Sequence, residues 1–489
     1  MKLPWLKVLS EQETLDIHQA SLEILQQCGV KILNARMLAF LKERGLVVND
    51  EERTVTFTRT CIEDALSRTP MQFEVFDRNG RPAFVLGDRR PKIAAGHNAV
   101  FWVDPRTGRR RESTVADVEL FTRLCDRLEC IDMVGVPVMP QDVPNPKASL
   151  LYGVRAVIEN TTKPVYFSTD SAEINRLCIE MLKAAFPGDL QNQVYGISQL
   201  SSTSPLYWEE GVLDALMDTV PMGVPIALLP EPIAGISAPY TLAGLLTVCN
   251  AESLSGLAMI QMLRPDTRVL YGNSWTTCDM RTGAALVGST ETTLCRIAAA
   301  QLAHFYKVPS HTTAPNSDNH AHDEQNAWEK ALSQFCSVAA GHDLIVNCGM
   351  FATGMTCSNE QLLMDEEISA ICRRIAAGIR VNQETIARDL IVRTGPQGPT
   401  YLTADHTLQW LHSDEYVAPS LSVRESYGSW TAKGARDVYG LACEKVNEYA
   451  GAEPNRPSSR QRAKLAEILE SFGKSPPRTD GPHGHQNLT

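Results

Sequence analysis

Apolar residues recur at helical spacing where the chain begins. Ser10 and Glu13 form an S-x-x-E capping box ahead of Leu15, Leu22 and Leu25, and Gly29 closes the predicted helix. A second helix runs to Gly45, and short β-like runs follow at Val47–Val48 and Thr54–Phe57. Phe73–Phe76 and Ala83–Leu86 flank Asn79-Gly80, a strong hairpin signal. Residues 1–112 therefore read as an α+β cap. From Thr114 the pattern changes. A T-x-x-D box opens a helix carrying Val118, Phe121, Leu124, Cys125 and Leu128 on one face. Apolar runs then begin near Ile131, Pro164, Val194, Pro225, Arg268, Val308 and Asp343, 30 to 43 residues apart, each gap long enough for one helix and two loops. Seven such units with no G-x-G-x-x-G after any strand predict an α/β protein built on a (β/α)8 TIM barrel, assigned to residues 113–403. The eighth strand is expected at Gly395–Leu402, unless the first unit is mis-phased. Residues 404–473 read as a helical C-terminal extension with a final amphipathic helix from about Arg456 to Phe472, and 474–489 as a disordered polar tail.

Composition narrows the partners. The 489 residues carry 46 Lys plus Arg against 57 Asp plus Glu, a formal net charge of −11, which argues against a nucleic-acid surface. The most apolar stretch, Leu242 to Leu263, is interrupted by Asn250, Glu252 and Gln261, so no membrane span is expected. The start MKLPWLKVLSEQE lacks the apolar core of a secretory signal. Thirteen Cys without any CxxC pair fit reduced thiols, and together these features predict a cytoplasmic protein. The acidic surface permits a homo-oligomer.

In a barrel the chemistry collects where strands end. There the sequence offers Ser168 and Asp170; Gln199, Ser201 and Ser202; Glu231; Asn273, Trp275 and Asp279; His311, Asn316 and Asp318; and Asn347, Met350 and Phe351. The set is polar to acidic with aromatic rings, which suits a small cation better than a phosphorylated metabolite. Asp318, His320 and His322 are also metal-ligand types, and with His311 they define an alternative, a metal-dependent barrel hydrolase or lyase. Their spacing is poor for one site, since His320 and His322 diverge on a helix. No G-x-S-x-G or P-loop is present.

Longer strings are more specific. Tyr271-Gly-Asn-Ser-Trp-Thr-Thr-Cys-Asp-Met-Arg-Thr-Gly283, Pro232-Ile-Ala-Gly-Ile-Ser-Ala-Pro-Tyr-Thr-Leu-Ala-Gly244, Ser204-Pro205-Leu206 and Gly354-Met-Thr-Cys-Ser-Asn-Glu-Gln-Leu-Leu-Met-Asp365 resemble the trimethylamine methyltransferase family. Gly96-His97, Val103-Asp104 and His406-Thr407-Leu408 extend the resemblance to roughly residues 10–450. It implies a barrel that passes a methyl group to the cobalt of a separate corrinoid (cobalamin-carrying) protein, with no cofactor or metal held tightly by the chain itself. The trimethylamine members carry pyrrolysine in a Ser-x-Glu context; here Asn359 stands between Ser358 and Glu360. The resemblance is therefore to the branch without pyrrolysine, which implies a quaternary amine substrate, glycine betaine first, with carnitine and proline betaine behind it. A quaternary ammonium departs as a neutral tertiary amine, so neither a protein nucleophile nor a general acid is required. On this reading Trp275 and Phe351 are the rings that hold the cation, Asn359 and Met350 line the pocket, and His97, Asn347 and His311 are donors. Asp279 balances the ammonium or pairs with Arg281. A non-catalytic betaine-binding protein is the remaining alternative.

Overall fold

A computed structural model describes residues 5–168, 170–451 and 453–474. Eight parallel strands close into a barrel: β1 (Lys92–Ala95), β2 (Met133–Gly135), β3 (Val165–Ser168), β4 (Gly196–Leu200), β5 (Ile226–Leu228), β6 (Val269–Asn273), β7 (Ser310–Thr313) and β8 (Leu344–Cys348). The helices that follow them are α1 (Val115–Arg127), α2 (Ser149–Asn160), α3 (Ala172–Ala185), α4 (Glu210–Thr219), α5 (Leu242–Leu263), α6 (Thr290–Tyr306), α7 (Glu324–Ala340) and α8 (Asn359–Ala377). The seven predicted runs are β2 to β8.

The strand not located by those runs is β1, which lies inside the segment assigned to the cap. Residues 395–402 hold no strand; a 3-10 turn begins at Tyr401. The reason is local. β1 has only four residues, between Pro91 and Gly96, and a hairpin (Phe101–Asp104 with Arg109–Glu112) separates it from α1, so no strand-then-helix period is visible. β1 pairs with β8 on one side and β2 on the other and so closes the cylinder.

The Asn79-Gly80 turn does join a hairpin, Phe73–Phe76 with Pro82–Leu86. Its Phe73, Val75 and Leu86 pack with Ala94, Met133, Ile197, Leu270, Leu344 and other inward residues, plugging the N-terminal end of the barrel. Asp343 helps fasten that end, accepting from the Gly87, Arg89 and Ser310 amides at 3.0, 3.0 and 2.8 Å. Only the C-terminal end is left for a ligand.

The N-terminal segment covers the flank. Its first helix, Glu11–Gln27, has the predicted capping box and packs on α5. α5 is long and apolar enough to cross a membrane by composition, and most of it is buried inside the protein. Its three interrupting polar residues are buried and partnered. Asn250 donates to Ser21 Oγ and Tyr306 at 2.9 Å each, Glu252 accepts from Ser202, Ser204 and the Leu206 amide, and Gln261 donates to Thr69 Oγ1 and the Thr267 carbonyl. Beyond α8, helix Val438–Ala450 packs on α8 and α1, and Ser459–Glu470, the predicted final helix, packs on α3. The tail after Lys474 lies outside the described residues.

At the C-terminal end a fully buried ion pair joins α7 to α8: Lys330 Nζ lies 2.8 Å from Asp365, which also accepts from the Gly349 amide at 2.7 Å. Lys330→Met leaves that carboxylate without its cation, a loss of about 3–5 kcal/mol. The expected result is a fall in the thermal midpoint of roughly 5 °C for a chain this long. Lys330→Met with Asp365→Asn should recover part of it in the same melting experiment; a double variant no better than the single would contradict the assignment.

Candidate functional site

Loops after the strands build one half-enclosed cavity of about 360 Å³ at the C-terminal mouth. Strand ends supply His97, Ser168, Gln199, Glu231, Thr313 and Asn347, and the loops add Ile233, Ser274, Thr276, Asn316, Met350, Thr353 and Gly354. A hairpin in the β6–α6 loop (Thr277–Asp279 with Ala284–Leu286) forms a flap, with Ala285 and Val287 on the wall. Asp318 holds the flap, accepting from the Val287 and Gly288 amides at 2.8 and 2.9 Å and from Thr353 Oγ1 at 3.2 Å. The Met350–Phe351 and Thr356–Cys357 strands join the 101–112 hairpin in a four-stranded sheet beyond the ends of the last and first barrel strands.

A chain of amides and imidazole lines one side. His97 stands between Asn347 Oδ1 at 3.0 Å and Gln199 Oε1 at 2.7 Å, Ser168 Oγ donates to Gln199 at 2.8 Å, and Asn347 Nδ2 donates to Asn316 at 2.9 Å. Burial lowers the His97 pKa and so favours the neutral ring, which is held between the two amide side chains. Asn347 has φ of +114°, strained for a residue with a side chain, at a register shift in β8 that aims it into the barrel.

Glu231 is different. It follows β5 in the string Leu-Leu-Pro-Glu-Pro-Ile, is open to the cavity, and makes no hydrogen bond or ion pair among the described residues. Its side chain is exposed at the cavity mouth, and the protein around the mouth takes away part of its water and raises its carboxyl, to about 7. Among the described residues the cavity wall contains no lysine or arginine.

Of the residues expected at the site, His97, Asn347 and Met350 lie together on the wall. His311 sits one layer lower, its Nε2 accepting from Tyr166 OH at 2.8 Å, and burial drops its pKa to about 3, so it stays neutral. Gly272 is required beside it, because a Cβ there would run into the His311 ring and the Leu228 carbonyl. Trp275 is not on the wall; it is 2% exposed, packed among helix residues while its neighbours Ser274 and Thr276 face the cavity. Phe351 is turned away too, packing on Val103 with its ring 4.6 Å from His322. Asn359 is the first residue of α8, buried with its Oδ1 unpartnered, and does not line this cavity. Asp279 lies in the flap hairpin, paired with Arg281 at 3.2 Å, away from the cavity wall.

Glu231 is one of the strand-end residues of the sequence, and the resemblance assigns it no role. Its signal was a carboxylate at a strand end with no basic residue nearby in sequence. The metal alternative fails on geometry: His311 is inside the barrel, His322 stacks on Tyr439 near Ser358, and His320 is at the surface. Among the described residues no three His, Cys, Asp or Glu side chains are grouped to hold a metal ion.

Fold and mouth together define an enzyme of the (β/α)8 barrel class. The family model described as trimethylamine methyltransferase (MTTB) matches residues 1–463, and the chain belongs to that family of methyltransferases. The trimethylamine methyltransferase MttB of Desulfitobacterium hafniense (strain DSM 10664 / DCB-2) is 30% identical over 439 residues, 89% of this chain and 88% of that protein. A glycine betaine methyltransferase from Desulfitobacterium hafniense (strain Y51) is also 30% identical, over 434 residues, 88% of this chain and 89% of that protein. The crystal structure of the Methanosarcina barkeri monomethylamine methyltransferase (MtmB) superposes with a TM-score of 0.52 at 14% identity, covering 91% and 88% of the two chains, and shares the fold.

Glu231 gives a signed pH prediction. A cation is held by the ionised carboxylate, so kcat/KM for a cationic substrate should rise about tenfold per pH unit below about 7 and level off above it. Glu231→Gln should flatten the profile. Stability runs the other way. A carboxyl raised from 4.5 to about 7 favours the folded state at low pH, and that contribution is lost as pH rises through 7. Glu231→Gln should therefore melt higher than the parent at pH 8 and no higher at pH 4; equal melting shifts at both would remove the carboxylate from this role.

Proposed function

We propose that this chain removes a methyl group from a quaternary ammonium compound and delivers it to the cobalt of a separate corrinoid protein in the cytoplasm. The observation that carries the reading is an unpaired carboxylate, Glu231, facing a cavity without any cationic side chain, in a family of methylamine and betaine methyltransferases. The volume suits a small ligand. The partner's reduced corrinoid supplies the nucleophile that accepts the methyl group.

The chain's own residues have three tasks. Glu231 sets the ammonium against the β5 side by charge, the His97–Asn347–Gln199 chain presents a rigid polar wall across the barrel, and the flap held by Asp318 limits water. The carbon–nitrogen bond breaks with its electron pair on nitrogen, and the amine leaves neutral, so no proton need be supplied. That fits a wall on which the one imidazole is neutral and fixed by two amides. Thirteen free cysteines support a reducing compartment. Apolar side chains on the segment after α8, such as Ile379, Val392 and Leu402 at 71%, 72% and 74% exposed, support a homo-oligomer.

The test is a spectrophotometric screen of methylated amines with free Co(I) cobalamin as acceptor. Quaternary amines should methylate it, and Glu231→Gln should cut kcat/KM by about threefold to tenfold, the worth of one charge contact partly screened by solvent. Consumption of trimethylamine with every quaternary amine untouched, or demethylation without any corrinoid, would overturn the reading. Calorimetric betaine binding with no methylation of cobalamin would instead mark a non-catalytic binding protein.

A further inference from the structure

Resting on the methyl-transfer reading, we propose that the cavity selects a quaternary ammonium whose remaining arm is uncharged, of the choline type, over the zwitterionic betaines. Glycine betaine carries its carboxylate one carbon from the ammonium nitrogen, so both groups must fit the same half of the barrel. Glu231 occupies the β5 side, and any betaine that sets its ammonium there brings a second carboxylate against the first. A compensating cation is missing from the wall.

The nearest candidate does not serve. Arg296 lies behind the wall, 2% exposed, with its guanidinium donating to the Thr313 and Val287 carbonyls at 2.6 and 2.8 Å. The amide donors of the polar chain are each already engaged in one contact, so they offer a carboxylate less than a cationic side chain would. Asn347 Nδ2 is used by Asn316, Asn316 Nδ2 donates to the Thr313 carbonyl at 3.0 Å, and Gln199 Nε2 donates to Ser201 at 2.8 Å. A carboxylate accepts only, and needs several N–H or O–H groups to replace its water. A hydroxyl both donates and accepts, so it can meet the wall's hydroxyls or either oxygen of Glu231. Barrel order places β5 opposite β1, so the strands that lead to Glu231 and His97 face one another across the cavity, while the amide chain reaches round to Gln199 on β4 beside β5. An elongated cation with a neutral end matches that polarity; one with an anionic end does not.

Transfer from choline would break one N–CH3 bond, leave its electron pair on nitrogen, and release neutral 2-(dimethylamino)ethanol, with Co(I) cobalamin as the methyl acceptor. Two readouts test the selection. By titration calorimetry at pH 8 without any corrinoid, choline should bind at least tenfold tighter than glycine betaine, with tetramethylammonium between them. In Glu231→Gln the choline–betaine gap should shrink to within about threefold, with the variant's fold checked by its melting curve. Betaine binding as tightly as choline to the parent protein, or no measurable binding of either, overturns the proposal, and the parent comparison stands even if the variant misfolds. With free Co(I) cobalamin the same preference should appear in kcat/KM. Selective binding of choline with no methylation of cobalamin from any amine would keep the charge selection and sink the methyl-transfer reading.

Discussion

The closing of the cylinder by four residues governs everything at its mouth. Lys92–Ala95 is hydrogen-bonded on both edges, to the last strand and to the second, and without it the sheet would have two free edges and no enclosed interior. The seam is also where the polar wall forms. Gly96, with φ of +82°, turns the chain just past β1 so that His97 enters the cavity, and a Cβ there would meet Pro137. Across the seam the register shift in β8 swings Asn347 toward the same ring. The His97–Asn347 contact thus spans the junction between the first and last strands, and its geometry is inherited from barrel closure.

Recognition at this mouth is electrostatic in a different way from an aromatic cage. The rings that would make one, Trp275 and Phe351, are used to pack helices and loops onto the barrel. What remains at the wall is one carboxylate and a set of neutral dipoles, several of them bonded to each other. Such a site is pre-organised, because the amides cannot turn without breaking several bonds, and it attracts positive charge through a carboxylate open to the cavity.

Much of the fold was legible because it repeats. Seven strands stood out as apolar runs at regular intervals, and the caps at Ser10 and Thr114 follow from side-chain hydrogen bonds that depend on three neighbouring residues. β1 was hidden for a physical reason: its identity comes from pairing with strands about 40 and 250 residues away, which leaves no local period. The site was partly legible. His97, Asn347 and Met350 could be placed from the strings that carry the family resemblance, whereas Trp275 and Phe351 occupy neighbouring positions whose side chains point the other way. One residue along a strand or loop reverses the facing, and sequence alone does not fix that phase. Glu231 was visible as a strand-end carboxylate, yet its solitude is a three-dimensional property.

The helix Leu242–Leu263 carries a consequence for how the chain is made. Its polar residues are satisfied partly from the N-terminal segment, through Ser21 and Thr69, which leave the ribosome long before it does. The N-terminal flank that covers these polar groups is therefore already synthesised when the most membrane-like stretch of the polypeptide emerges. Truncating that flank would release not a smaller enzyme but an orphaned greasy helix, a target for quality-control proteases.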